Sequence, residues 1–420
     1  MTTLDLRTRL QGSAVDLDAG TFYDAPLGDL LAENGQLAAR GYAHLGLAPL
    51  AFEVGDAQFS LAAERDTLVV RPGIDDDATV VSLGAHDFSE LVQEVTTTLG
   101  LGMRGRVEMR RGTMDEFVAW EPVLRALIDA RPVHEPGMVQ LLDADGGELD
   151  LHQSFTLDDP REQIGAFLAE AGFVKIRNVF EPDEMAAIVD ELADAVAEAE
   201  RDDGQSWWAR DGKGEWYAAR ILGFNEKSPA LRKVLHDERL IQLGEFTDDT
   251  YTQRDPDNSD AAEGLTKRIG VTDGISDVPW HKDCSPGGHS YGCCGLTVGL
   301  CLTPADRESG ELGVVAGSHR ANVQGGGVRA DMDLPRVALP AEIGDVTIHC
   351  SCALHMSRPP VSRERRVVYT GFGLARRPGD VVEPVDRDTI RRERADLDDA
   401  GRRLNQRGYG AKIQQFELDS

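Results

Sequence analysis

Basic residues are scarce in this chain. Its 420 residues include 44 Lys and Arg against 73 Asp and Glu, a formal charge of −29. Binding a phosphate backbone needs a basic face, so nucleic acid is excluded as a partner. An anionic membrane surface is disfavoured on the same ground. The acidity itself reads as a solubility trait. No uninterrupted apolar run reaches the length that crosses a bilayer. The opening MTTLDLRTRL lacks a basic start followed by an apolar stretch, so a cytoplasmic chain without a secretory signal is expected. The first half has no cysteine; the six are Cys284, Cys293, Cys294, Cys301, Cys350 and Cys352. They form no two separated Cys-x-x-Cys pairs, which argues against structural zinc. They are expected to be reduced, small buried residues.

Length and apolar material are ample. A chain of 420 residues, 41% hydrophobic, is expected to hold about two or three domains with real cores. Residues 1–50 mix short apolar turns with acids and small residues. From Phe52 the stretches AFEVGDAQFSLAAE, DTLVVRPGI and ATVVSLG read as strands. HDFSELVQEVTTTLG reads as a helix, because Phe88, Leu91, Val92 and Val95 have helical spacing. The strand GRVEMRRG leads into the helix MDEFVAWEPVLRALIDA, and Pro132 and Pro136 mark a break. Gly100, Gly102 and Gly105 match the dinucleotide G-x-G-x-x-G spacing. Phosphate binding needs a strand before and a helix after, and here the order is reversed, so these glycines read as a helix stop and turn. The order of elements over about 35–130 resembles the sterol-carrier-protein fold, which implies an apolar tunnel or its degenerate descendant. A plain accessory or dimerisation domain is the alternative. The expected division is 1–135 for this accessory α+β domain, 136–160 for a linker hairpin around Asp145-Gly146-Gly147, and 161–420 for a larger domain.

The larger part opens with a helix, the strand FVKIRNVF, and a second helix begun by Pro182, Asp183 and Glu184. Met185, Ile188, Val189, Leu192 and Val196 form its core-facing stripe. The pairs Trp207-Trp208 and Trp216-Tyr217 suit either a pocket or ordinary packing. An acidic stretch, Asp248 to Glu263, reads as a loop. Then come short strands: Leu296 to Leu302, ELGVVAG, VTIHCS, ALHMS and RRVVYTGFG, separated by Gly and Pro turns. That pattern suggests a β-sandwich or jelly roll.

Within it, VPWHKDCSPGGHSYG sets His281 and Asp283 two apart. On a strand, such residues point to the same side. His355, far downstream on another expected strand, could complete a two-His-one-carboxylate face, the arrangement of non-haem Fe(II). Three adjacent positions then stay open, where zinc would need one. Arg365, with Arg366 beside it, enters the last strand. A guanidinium fork can hold the far carboxylate of 2-oxoglutarate in two parallel bonds, although a solvated surface charge is the plain alternative. His319 reads as a structural residue after a turn and His349 as a satisfied interior histidine, with a place lining the same barrel as His355 its alternative, whereas His289 could touch substrate. QGGGV, 324–328, looks like a hinge or lid.

The ordered set PWHKD, SGELGVVAGSHR, GDVTIHCSCALHMS and the arginine pair before VVYTGF resembles the phytanoyl-CoA dioxygenase family of Fe(II)/2-oxoglutarate oxygenases. The likeness runs from about Ile164, through FVKIRNVFEPDEM, to about Leu374. It implies an α+β to mainly β chain: a C-terminal double-stranded β-helix, or jelly roll, with flanking helices behind the smaller α+β domain. It also implies that His281, Asp283 and His355 hold Fe(II). Arg365 would bind 2-oxoglutarate, aided by Ser357, with Lys267 assisting. Arg366 stays an alternative, because a one-residue slip flips the face. The implied reaction uses O2 to hydroxylate, or otherwise oxidise, an unactivated C–H bond of a small substrate, releasing succinate and CO2. An apolar, lipid-like or secondary-metabolite substrate is expected. Halogenation is disfavoured because Asp283 fills the place that halogenating relatives leave for halide. One departure is Gly299, where some members carry an aromatic residue near the cosubstrate. The competing readings are a non-catalytic lipid carrier with a degenerate jelly roll and a zinc or manganese jelly-roll enzyme. A homo-oligomer is compatible with either.

Overall fold

The largest departure from these expectations lies in the first fifty residues, where Pro26–Leu45 forms a helix of 20 residues. Gly28, Gly35 and Gly41 dilute its helical signal. Two of them are there for close packing. A Cβ at Gly41 would sit 2.2 Å from Val133 Cγ2, and one at Gly35 2.6 Å from Thr67 Oγ1. Proline opens the helix, and Gly46 ends it in the left-handed region at φ 64°. This computed structural model describes residues 15–201, 203–246, 251–274, 276, 279–284, 295–374 and 418. His289, Cys293 and Cys294 lie outside the described residues.

The helix packs on an amino-terminal sheet of β1 (Leu50–Val54), β2 (Ala57–Glu64), β3 (Thr67–Pro72), β4 (Thr79–Leu83) and β5 (Val107–Arg111), ordered β3-β2-β1-β4-β5. β1 and β4 run parallel; the other neighbours are antiparallel. AFEVGDAQFSLAAE is two strands rather than one, because Gly55 at φ 58° turns the chain. The helix read from HDFSELVQEVTTTLG stops early, at Val92, and Glu94 follows at φ 56°. Gly100 and Gly102 fall inside the short helix Thr98–Met103, and Gly105 makes the turn into β5. The core gathers Phe52, Phe59, Phe88, Trp120, Val123 and Leu127. A cavity of about 20 Å³ lies among Phe22, Leu27, Phe59, Phe88, Leu124 and Ile128. That is water-sized, too small for a lipid chain.

The linker's expected hairpin shrinks to one bridge, Leu142–Glu148, around a turn in which Asp143 Oδ1 accepts from the N–H groups of Asp145 and Gly147. Beyond it come β6 (Phe173–Ile176), β7 (Ser206–Arg210), β8 (Trp216–Ile221), β9 (Tyr251–Gln253), β10 (Ala262–Lys267) and β11 (Asp273–Gly274). They are followed by β12 (Gly295–Cys301), β13 (Leu312–Val315), β14 (Arg336–Leu339), β15 (Val346–Cys350), β16 (His355–Ser357) and β17 (Arg365–Leu374). Among the described residues a nine-stranded sheet runs β11-β7-β8-β10-β17-β12-β15-β6, with β9 on β17. A three-stranded sheet, β14-β13-β16, faces it, completing the jelly roll.

Alternation gives the large sheet two unlike faces. Val298, Leu300, Ile348, Val368 and Phe372 share one core with Ile164, Ile188 and Leu192 of the helices Arg161–Ala171 and Pro182–Glu198. Leu192 lies so close over β10 that a Cβ at Gly264 would come within 2.5 Å of its Cδ1. The other face turns toward the small sheet. No helix among the described residues is long and apolar enough to cross a membrane. Truncating the fully buried Leu192 to alanine is expected to cost about 2–5 kcal/mol of stability, read as a lower urea midpoint for the unfolding step of this part.

Candidate metal and cosubstrate site

Trp280–Lys282 joins the edge of the small sheet. His281 and His355 exchange two backbone hydrogen bonds of 2.9 Å, N–H of each to C=O of the other. On the opposite edge, Lys282 N–H donates to Gly325 C=O and Gly327 N–H to Trp280 C=O, both at 2.9 Å. Residues directly opposite in an antiparallel pair share a face. The two imidazoles therefore lie together, with ring centroids 4.2 Å apart. Trp280, fully buried with Val315, Leu354 and Met356, anchors the segment from behind.

Asp283 follows two residues on and returns to the site. Its Oδ1 lies 3.4 Å from Nε2 of both His281 and His355. One ligand atom from each of the three falls within 4.8 Å of the others. Each Nδ1 is committed elsewhere: that of His281 donates to Pro279 C=O at 2.7 Å, that of His355 to Ala353 C=O at 3.0 Å. A carbonyl only accepts, so this network assigns the proton to Nδ1 and leaves the Nε2 lone pairs convergent. Burial, then the neighbouring His355, lowers the His281 pKa and favours neutral imidazole. Burial alone would raise the Asp283 carboxyl. The three imidazoles gathered around it outweigh that and hold the group well below the usual carboxylate range. Thr297 Oγ1 donates to Asp283 Oδ2 at 2.6 Å.

A second cluster occupies the same face of the large sheet. Lys267 of β10 stands opposite Arg365 of β17. Ser357 Oγ accepts from Lys267 Nζ at 2.9 Å and from Arg365 Nη2 at 2.8 Å. Lys267 also donates to the carbonyls of Ser357 and Arg358, at 3.1 and 2.7 Å. Arg365 is buried, yet its Nε has no hydrogen-bond partner. Arg366 pairs with Thr266 on the opposite face, so register separates it from the site.

Three residues here went unread or misread in the sequence. His349 is not a satisfied interior histidine: neither ring nitrogen makes a hydrogen bond, Nε2 lies 3.4 Å from Asp283 Oδ2, and the ring is 4.1 Å from that of His355. Thr297 sits directly across from it. Tyr369, opposite Gly299, accounts for the missing aromatic. A Cβ at Gly299 would lie 3.0 Å from the Tyr369 ring, whose hydroxyl is 3.5 Å from Arg365 Nη2. The signal was parity, since Tyr369 and Arg365 are four apart on one strand.

Other candidates fall elsewhere. His319 Nε2 donates to Ala169 C=O at 2.9 Å, away from the site. QGGGV is the segment paired along Trp280–Lys282, not a detached lid. The described cysteines, Cys284, Cys301, Cys350 and Cys352, are buried, and burial pushes the Cys301 thiol up to about 12. The tryptophan pair divides: Trp208 packs on the core, whereas Trp207 lies under Arg220, 4.7 Å from ring to guanidinium. Arg220 pairs with Glu263 at 2.9 Å, and register puts both on the site's face of the sheet.

Comparison with known proteins follows this geometry. No curated protein matches the chain. AviO1 from Streptomyces viridochromogenes is 22% identical with a TM-score of 0.41, over 54% of this chain and 98% of that one. The epimerase SnoN, solved with Fe3+, alpha-ketoglutarate and nogalamycin RO, is 18% identical with a TM-score of 0.40, over 54% and 93%. The carbocyclase SnoK from nogalamycin biosynthesis is 20% identical with a TM-score of 0.39, over 56% and 97%. Residues 168–368 match the phytanoyl-CoA dioxygenase family, a span that includes His281, Asp283, His355, Lys267, Ser357 and Arg365. The chain thus carries a domain of the phytanoyl-CoA dioxygenase family.

Proposed function

We propose that this protein is an Fe(II)- and 2-oxoglutarate-dependent dioxygenase that hydroxylates, or otherwise oxidises, an unactivated C–H bond of a small molecule. One observation carries the reading: two Nε2 lone pairs and a carboxylate converge within 4.8 Å. Two imidazoles and one carboxylate on a single face fit Fe(II) with positions left for cosubstrate and oxygen. The unpartnered Nε of buried Arg365 fits the far carboxylate of 2-oxoglutarate. Bound there, iron supplies the activation of O2 that accompanies decarboxylation of 2-oxoglutarate to succinate and CO2.

The chain's own residues do the positioning. Pro279 and Ala353 carbonyls hold the two imidazoles in the tautomer that presents Nε2. Thr297 holds Asp283 in its rotamer. Ser357, gripped by Lys267, orients the Arg365 fork, and the Tyr369 ring narrows the space beside Gly299. Beyond these residues the wall carries apolar Leu265 and Val367 and then Arg220, Glu263 and Trp207. That mixed lining suits an apolar, lipid-like or secondary-metabolite body bearing a polar group.

Anaerobic addition of Fe(II) and 2-oxoglutarate should produce a weak visible charge-transfer band that His281→Ala abolishes; no band in the wild type would sink the reading. Arg365→Met should raise the KM for 2-oxoglutarate about 10- to 100-fold, from loss of charge-assisted bonds, and leave metal affinity within about twofold. Thr297→Val should do the reverse, weakening metal binding about 10- to 100-fold in a calorimetric titration with little change in 2-oxoglutarate affinity.

A further inference from the structure

Between the two ligands of the His-x-Asp pair stands Lys282. Alternation turns it away from the site, and its side chain is fully buried (0% exposed). The strand's hold on the amino-terminal unit therefore runs through its backbone edge rather than through this side chain.

The free edge of the ligand strand is tied to the same unit. It pairs with Gly325–Gly327, and that segment is fastened on both sides. Before it, Asn322 Nδ2 donates to the carbonyls of Pro122 at 2.9 Å and Arg131 at 3.0 Å, and His134 N–H donates to Asn322 C=O at 3.1 Å. After it, Asp333 takes Gly137 N–H at 2.6 Å and pairs with His134 Nε2 at 2.9 Å. Thus the strand carrying His281 and Asp283 has His355 on one edge. Its other edge leads to the amino-terminal unit.

We propose that the amino-terminal unit is a brace for the metal centre: Asn322, tied to the carbonyls of Pro122 and Arg131, and Asp333, tied to His134 and Gly137, keep Gly325–Gly327 paired with the strand that holds His281 and Asp283 in register with His355. Asn322 and Asp333 are positioning residues in this account, which rests on the metal reading above. The water-sized cavity in the unit accords with a structural task.

The test uses the full chain and Co(II), titrated without oxygen and followed by d–d absorption, beside thermal unfolding of the metal-free protein. Asn322→Ala should weaken Co(II) binding about tenfold and alter the spectrum, as loss of an outer support does. Asp333→Ala, which removes the contacts to Gly137 and His134 on the other side of the segment, should do the same. Variants that unfold earlier but bind Co(II) with wild-type affinity and spectrum would overturn the brace. Should Asn322→Ala fail to fold, the exposed Asp333→Ala decides alone. Absence of Co(II) binding by the wild type would overturn the metal reading and this inference with it, whereas wild-type binding with unaffected variants overturns only the brace.

Discussion

The antiparallel pairing of His281 with His355, closed by two backbone hydrogen bonds, is what the site is built on. It joins two segments that are far apart in the chain and sets their imidazoles on one face, 4.2 Å apart. Strand alternation then returns Asp283 to that face. The carbonyls of Pro279 and Ala353 take the Nδ1 protons, so the remaining lone pairs meet at the carboxylate. A shift of one residue in this pairing would turn one imidazole outward and leave Lys282 in its place.

The large sheet supplies the rest by separating chemistry between its faces. Its helix-covered face is apolar and carries the packing energy. Its inner face carries Lys267, Arg365, Tyr369, Thr297 and His349, each on a rigid strand. Arg365 and Arg366 are equal as letters and opposite in space. Gly299 and Tyr369 illustrate compensation across strands: one position gives up its side chain, and the ring opposite fills the volume. An interior packed to crystal-like density makes such exchanges between neighbours natural.

The amino-terminal unit has its own core around Phe52, Phe59 and Trp120, and its contacts with the larger part are polar. A glycine-bearing helix lets Val133 and Thr67 approach closely, and the chain leaves this core at Val133 and His134 to make the first contacts with 322–333. The join between the two parts is therefore polar and directional. Hydrogen bonds and ion pairs of that kind set register, whereas apolar burial tolerates sliding.

The sequence by itself determined the kinds of side chain and their local geometry. Period-two alternation put His281 with Asp283 on a shared face, turn residues marked the short strands, and the motif order carried the family likeness. Such signals are local and survive in one dimension. The helix Pro26–Leu45 escaped because its glycines serve contacts with distant residues, Val133 and Thr67. His349 read as interior because nothing near it in the chain names Asp283 as its neighbour. Which of Arg365 and Arg366 faces Lys267 and Ser357, and the pairing of Gly325–Gly327 with the His281 strand, appear only in the tertiary structure. Each depends on which strand lies opposite which, and in what register, and that pairing is set by the packing of the whole core, not by the periodicity of any one segment.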